Sequence, residues 1–334
     1  LDNFSWDNQE KIKVAKFSII SNSILTVGKL TAGVMMGSIS VLSEAIHSGL
    51  DLIAAIIAFA SVRESNKPAD DVHRYGHGKF ENLAAITEAI LILVAAGLII
   101  KESLPKLLHG ATEVRSLGVG AGIMGISALV NMYVSSRLMR VAKKTDSPAL
   151  AADAWHLRTD VLTSLGVLLG IILIKLTGFY LIDPLIAIGV TILILKAAYD
   201  LVHESLASIL DARLPDHEED IIKEVLQAYN GSYVDYRRLR TRKAGPQRHI
   251  DFTLIVPRGE QIISAHSLCD SIEQDLRQKI PGVEVVIHAE PCLPKKGDCE
   301  ICNVKLHYCM TGDRKVKCES CDESCASENI KKRN

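Results

Sequence analysis

Six stretches of mainly apolar residues, at about 13–36, 39–62, 82–101, 116–138, 150–175 and 180–204, are each long enough to cross a hydrocarbon layer that takes roughly 20 residues of helix. In hydrocarbon every backbone N–H and C=O must find its partner within the protein, so segments of this kind are helices. The first 205 or so residues are thereby committed to a helical bundle in a lipid bilayer. Charged residues crowd the remainder, and the net charge of −1 names no partner, so no nucleic-acid partner is expected. The polar opening Leu1–Trp6 does not read as a cleavable secretory signal.

An even number of spans puts both ends of the bundle on one side. Lys11, Lys13 and Lys16 precede the first span, Arg63, Lys67, Arg74 and Lys79 follow the second, and Arg137, Arg140, Lys143 and Lys144 follow the fourth. The opposite loops carry chiefly Lys101, Lys106, Arg115 and Lys175. The positive-inside rule then places both termini in the cytoplasm, in a multi-pass protein of the cell (inner) membrane.

After the break at Asp211–Pro215 the pattern changes to that of a small water-soluble domain. Asp216 is the expected N-cap of a helix over about 217–229, strands are expected at 234–243 and 247–256, a second helix at about 262–280, and a third strand through Val283, Val285 and Ile287. On the second strand Ile250, Phe252, Leu254 and Val256 alternate with His249, Asp251 and Thr253, and Pro281-Gly282 stops the second helix. The order predicts a ferredoxin-like, metallochaperone-like α+β sandwich. The expected division is 1–210 as a six-helix transmembrane domain, 211–292 as the α+β cytoplasmic domain and 293–334 as a cysteine-rich tail.

Ionisable residues within spans are costly and mark function by default. The second span places His47 and Asp51 four residues apart, on one helical face, and the fifth repeats the spacing with His156 and Asp160. Two such pairs facing each other supply two imidazoles and two carboxylates, enough to close a tetrahedron around a dication and to cancel its charge. The same groups bind protons when the metal leaves, which suggests metal-proton antiport with alternating access. The competing reading is a pair of structural hydrogen bonds between helices. Glu44, Glu88, Asp153 and Lys29 are read as residues that snorkel, pair or hold packing.

These motifs, with Pro68-Ala69-Asp70-Asp71-Val72-His73-Arg74-Tyr75-Gly76-His77-Gly78-Lys79 between the second and third spans, resemble the cation diffusion facilitator family over about residues 10–292. The resemblance implies a homodimeric antiporter whose transport site is His47, Asp51, His156 and Asp160. It also assigns Asp70, His73 and His77 to a second metal position in the loop. In the cytoplasmic domain it points to His266, His288 and Glu290, with His249 on the neighbouring strand as a substitute, although Arg237 and Thr253 stand where several relatives have His. A His at position 47 goes with zinc within the family, and imidazole-carboxylate ligands also suit Fe2+, Co2+ and Cd2+.

All eight cysteines lie beyond the spans, and six fall between Cys299 and Cys325. Cys299-x2-Cys302 and Cys318-x2-Cys321, fifteen residues apart, have the spacing of a four-thiolate zinc knuckle, with Cys309, Cys325 and His307 as alternative ligands. A tail whose thiols hold nothing tightly is the other reading. Cys269 and Cys292 are expected to pack inside the soluble domain. The sequence contains no His-Glu-x-x-His segment, so an intramembrane metalloprotease is not expected. A membrane metal sensor without transport is the remaining alternative.

Overall fold

The structure is a computed structural model that describes residues 2–36, 39–109, 119–177, 179 and 181–292. Cys299, Cys302, Cys318 and Cys321 lie outside the described residues. Two compact units are present, one running to Leu210 and the other beginning at Asp211.

The first unit consists of α1 (Asp2–Met36), α2 (Ile39–Ser65), α3 (Lys79–His109), α4 (Val119–Thr145), α5 (Pro148–Thr177) and α6 (Ile182–Ile209). Among the described residues, α1, α2, α3, α5 and α6 are long and apolar enough to cross a membrane. Helix α4 has comparable length and buries Ser127, Asn131 and Ser135. Large apolar side chains such as Ile24, Val34, Leu98 and Leu129 point outward, as expected of surfaces that face lipid.

Between helices the residues are small. Ala54, Ala55 and Ala58 on α2, Ala85, Ala89 and Ala96 on α3, Ala152 and Ala154 on α5, and Ala198 on α6 are fully enclosed. Small side chains let helix backbones approach closely, which is how helices gain dispersion energy where no hydrophobic effect drives them together. Helix α5 uses this most, packing against α2, α3, α4 and α6. Its start is set locally: Asp146 takes a left-handed conformation (φ 50°) in the tight turn after α4, the Ser147 hydroxyl receives the Leu150 N–H, and Pro148 opens the helix.

One buried carboxylate fastens four segments. Glu81 of α3 accepts from the Lys11 ammonium of α1 at 2.9 Å and from the Ser65 hydroxyl of α2 at 2.6 Å, and the Ser147 hydroxyl reaches its other oxygen. Lys11 and Glu81 are both enclosed.

The second unit has α7 (Asp216–Ala228), β1 (Asp235–Ala244), β2 (Gln247–Val256), α8 (Ile262–Lys279) and β3 (Val283–Pro291). The sheet order is β1-β2-β3, and β2 pairs with β3 in parallel from Arg248 opposite Val283 to Val256 opposite Pro291. This is the expected helix and strand order on a three-stranded sheet. Ile222 and Leu226 of α7, Ile250 and Leu254 of β2, and Ile272 and Leu276 of α8 meet in its core. Cys269 joins that core, while Cys292 is half-buried. Gly282, at φ 67°, makes the turn between α8 and β3.

Two local expectations change. Asp216 is the first residue of α7 and the cap position falls on Pro215, without a side-chain cap. Asp216, Glu218 and Glu219 instead place negative charge in the first turn, against the positive end of the helix dipole. On β2, His249, Thr253 and Ile255 are buried as well as the core-facing set, because the strand is the middle one of three.

Removing Glu81 strands a buried ammonium. Glu81→Ala is expected to destabilise the full chain in detergent by about 3–5 kcal/mol, seen as a lowered melting temperature. Glu10→Ala, which breaks only the exposed pair with Lys144, should leave it nearly unchanged.

Candidate metal centre

His47 and Asp51 lie one turn apart on α2, and His156 and Asp160 one turn apart on α5. The structure joins them in crossed pairs: His47 Nε2 is 3.3 Å from Asp160 Oδ1, and His156 Nε2 is 3.3 Å from Asp51 Oδ1. Each imidazole therefore meets the carboxylate of the other helix. Ligand atoms of His47, Asp51 and Asp160 all lie within 4.8 Å of one another, and His156 adjoins them through Asp51.

A tetrahedral ion with bonds of about 2.0–2.2 Å holds neighbouring ligand atoms about 3.4 Å apart, close to both contacts. Asp51 and His156 are enclosed, whereas the His47 side chain is 46% exposed, so the cluster opens on the His47 side. Asp160 Oδ2 is buried and takes no hydrogen bond among the described residues. Two carboxylates at close range in a poorly polarisable interior favour a cation between them.

Behind the cluster, α1 is tied to the residue that follows His47. The Lys29 ammonium donates to the Ser48 hydroxyl at 2.8 Å, and the Thr26 hydroxyl to the Ser48 carbonyl at 2.9 Å. This contact is absent from the sequence reading. A lysine in an apolar span announces that it needs an acceptor, but a hydroxyl on another helix has no pattern in the chain that marks it.

Between α2 and α3, Asp70 and His77 meet at 3.3 Å, Asp70 and His73 at 3.5 Å, and the two imidazole rings at 4.5 Å between centroids. All three residues offer ligand atoms within 4.8 Å of one another. Asp70 Oδ1 also accepts the backbone N–H groups of His73 at 2.6 Å and Val72 at 2.9 Å. The His73 N–H chiefly holds the Asp70 carboxyl below the ordinary aspartate range, against desolvation as the next-largest effect, with Val72 and the two imidazoles adding to the lowering. Asp70 thus keeps its charge into more acidic solution than a free aspartate. His77 is buried and Gly76 adopts φ 78°, so the loop turns its ligands toward one point.

The soluble unit arranges its histidines differently. His249 Nδ1 is 3.3 Å from Glu284, its partner across the β2–β3 register, His288 is 3.4 Å from Glu290, and His266 is 3.7 Å from Asp270. These are three separate pairs, and among the described residues they do not converge on one point.

The fold and the two clusters define a helical membrane protein with a small α+β domain and acid-histidine sites. Residues 15–210 match the family described as the cation efflux transmembrane domain, and residues 214–292 match the cation efflux protein cytoplasmic domain. The chain is 33% identical over 277 residues to the cation-efflux pump FieF of Salmonella typhimurium, an alignment covering 82% of this chain and 91% of that one. It is 35% identical over 274 residues to the uncharacterized transporter sll1263 of Synechocystis, covering 81% and 88%. A solved structure described as "Mode of Action of a Putative Zinc Transporter CzrB" shares 38% identity and covers 24% of this chain and 98% of its own, with a TM-score of 0.23. The chain belongs to the cation efflux family, the cation diffusion facilitators. It is an integral membrane transporter and not an enzyme.

If the two clusters hold metal independently, Asp70→Ala or His77→Ala removes one class of bound zinc from the full chain in equilibrium dialysis and leaves the class that Asp51→Ala removes. Loss of both classes in either loop variant would show a single linked site.

Proposed function

We propose that this transporter exports a divalent transition metal from the cytoplasm in exchange for protons, with His47, Asp51, His156 and Asp160 as the transport site. The observation that carries the reading is the crossed pairing of α2 and α5, which brings two imidazoles and two carboxylates together in two His-Asp contacts of 3.3 Å. Zinc is the first choice of cargo, with iron, cobalt and cadmium as alternatives, because two imidazoles beside two carboxylates favour these ions over magnesium.

Metal and protons compete for the same four side chains. Without metal, each His-Asp contact holds together as a hydrogen bond and the cluster takes up protons; a dication displaces them. Exposing the cluster alternately to the two faces then couples inward proton movement to outward metal movement. Asp70, His73 and His77 form a second, more open metal position with three ligands. The protein works as a homodimer with both termini in the cytoplasm, in keeping with the description of its second unit as a cytoplasmic domain. The three acid-histidine pairs of that unit support surface metal binding there less well than the loop does.

In sealed proteoliposomes with an imposed pH gradient, the wild type is expected to move zinc, and the movement to stop when the gradient is collapsed. Asp51→Ala and Asp160→Ala each remove a ligand and half of the compensating charge, so flux should fall to the leak of protein-free vesicles while the protein stays folded. Zinc binding without movement in the wild type would make the protein a sensor. Normal flux in both variants would refute the four-residue site.

A further inference from the structure

Glu88 of α3 and Asp153 of α5 lie inside the membrane unit and are completely enclosed. They do not snorkel, pair with a base or cap a helix: none of their four carboxylate oxygens has a hydrogen-bond partner among the described residues. The cations enclosed in the same unit are engaged elsewhere, Lys11 by Glu81 and Lys29 by Ser48. Among the described residues, Asp153 is the one charged group acting on Glu88. Asp153 is faced by the Ser18 hydroxyl of α1, outside hydrogen-bond geometry, and feels His156 on its own helix and Asp51 on α2. Among the described residues, no charged group of α4 or α6 acts on either carboxylate.

Two adjacent carboxylates without a cation or donor cannot both be charged in such a place, since each loses its hydration and repels the other. Their position links them to the metal cluster: Asp153, His156 and Asp160 follow the i, i+3, i+7 spacing of one helix face. We propose that Glu88 and Asp153 form a proton-binding site, separate from the metal ligands, that gives up a proton when a dication occupies the four-residue cluster. This rests on the metal-proton exchange proposed above.

The coupling acts through space. Without metal, and holding fewer than the two protons that match a dication in charge, the four-residue cluster is net negative and opposes loss of a proton from the neighbouring pair. A dication cancels that charge, the pair releases a proton to water, and the proton returns when the metal leaves. The two carboxyls titrate as a unit, so the proton belongs to the pair. Part of the proton count per metal then comes from residues that never touch the metal.

The test is zinc titration calorimetry of the full chain in buffers of different ionisation enthalpy, which counts protons released per zinc, for the wild type, Glu88→Gln, Asp153→Asn and Glu88→Asp. Both amides are expected to bind zinc with unchanged stoichiometry and release about one proton fewer per zinc, while Glu88→Asp keeps the wild-type count. A carboxylic-acid C=O band in the infrared spectrum of the metal-free protein should weaken on adding zinc in the wild type and be missing in Glu88→Gln. Amide variants that bind zinc with the wild-type proton count would overturn the proposal, and so would an infrared band unchanged by zinc if an amide fails to fold. A wild type that binds zinc without releasing protons would refute the exchange reading itself, an outcome distinct from the other two.

Discussion

An ionisable group inside a bilayer persists only where something compensates its charge, and in this protein that constraint converges on α5. Asp153, His156 and Asp160 all belong to it. Such a helix has to touch several others to be compensated, and α5 packs against α2, α3, α4 and α6. The alanines at those contacts, Ala152 and Ala154 among them, bring backbones close enough for side chains of α2 and α5 to share one cluster. Packing by small residues and chemistry by His and Asp are therefore one arrangement. A larger residue at an alanine position would separate the helices and the crossed pairs together.

The buried carboxylates of this unit fall into different physical situations. Glu81 is satisfied by an ammonium and two hydroxyls drawn from α1, α2 and the start of α5, and its charge is compensated within the protein. A fully satisfied network of this kind makes a rigid corner. Asp51 and Asp160 each meet an imidazole of the other helix, at the site where we propose that the cargo binds. Glu88 and Asp153 have no hydrogen-bond partner among the described residues, and the proposed proton is what meets the constraint there. These different situations separate scaffold, proposed cargo site and proposed proton site.

The spans and the His-Asp pairs are legible in the chain because both rest on one-dimensional signals: the length of an apolar run and the spacing of two residues on one helix. The soluble domain is legible for the same reason, through strand alternation at Ile250, Phe252 and Leu254 and the stop at Pro281-Gly282. What escapes is pairing between distant segments. Nothing in the sequence joins Lys11 to Glu81, seventy residues apart, or Lys29 to Ser48. Nor does it show that each imidazole of the cluster would face the carboxylate of the other helix, since the i, i+4 spacing places His and Asp on one face without ordering the contacts across it. The histidines of the soluble unit make the same point from the opposite side, since positions shared with a family do not bring His266 and His288 together within this chain.

At Glu88 and Asp153, two of the readings open to an intramembrane acid, snorkelling and pairing, are closed. Snorkelling needs a long stem and a position near the interface, and Asp153 has the shortest acidic side chain on a helix enclosed by four others. Pairing needs a base, and Lys11 and Lys29 are held elsewhere. With both routes closed by geometry, protonation is the remaining way to keep two carboxyls in that interior, and a proton held for that reason responds to the charge of the neighbouring cluster.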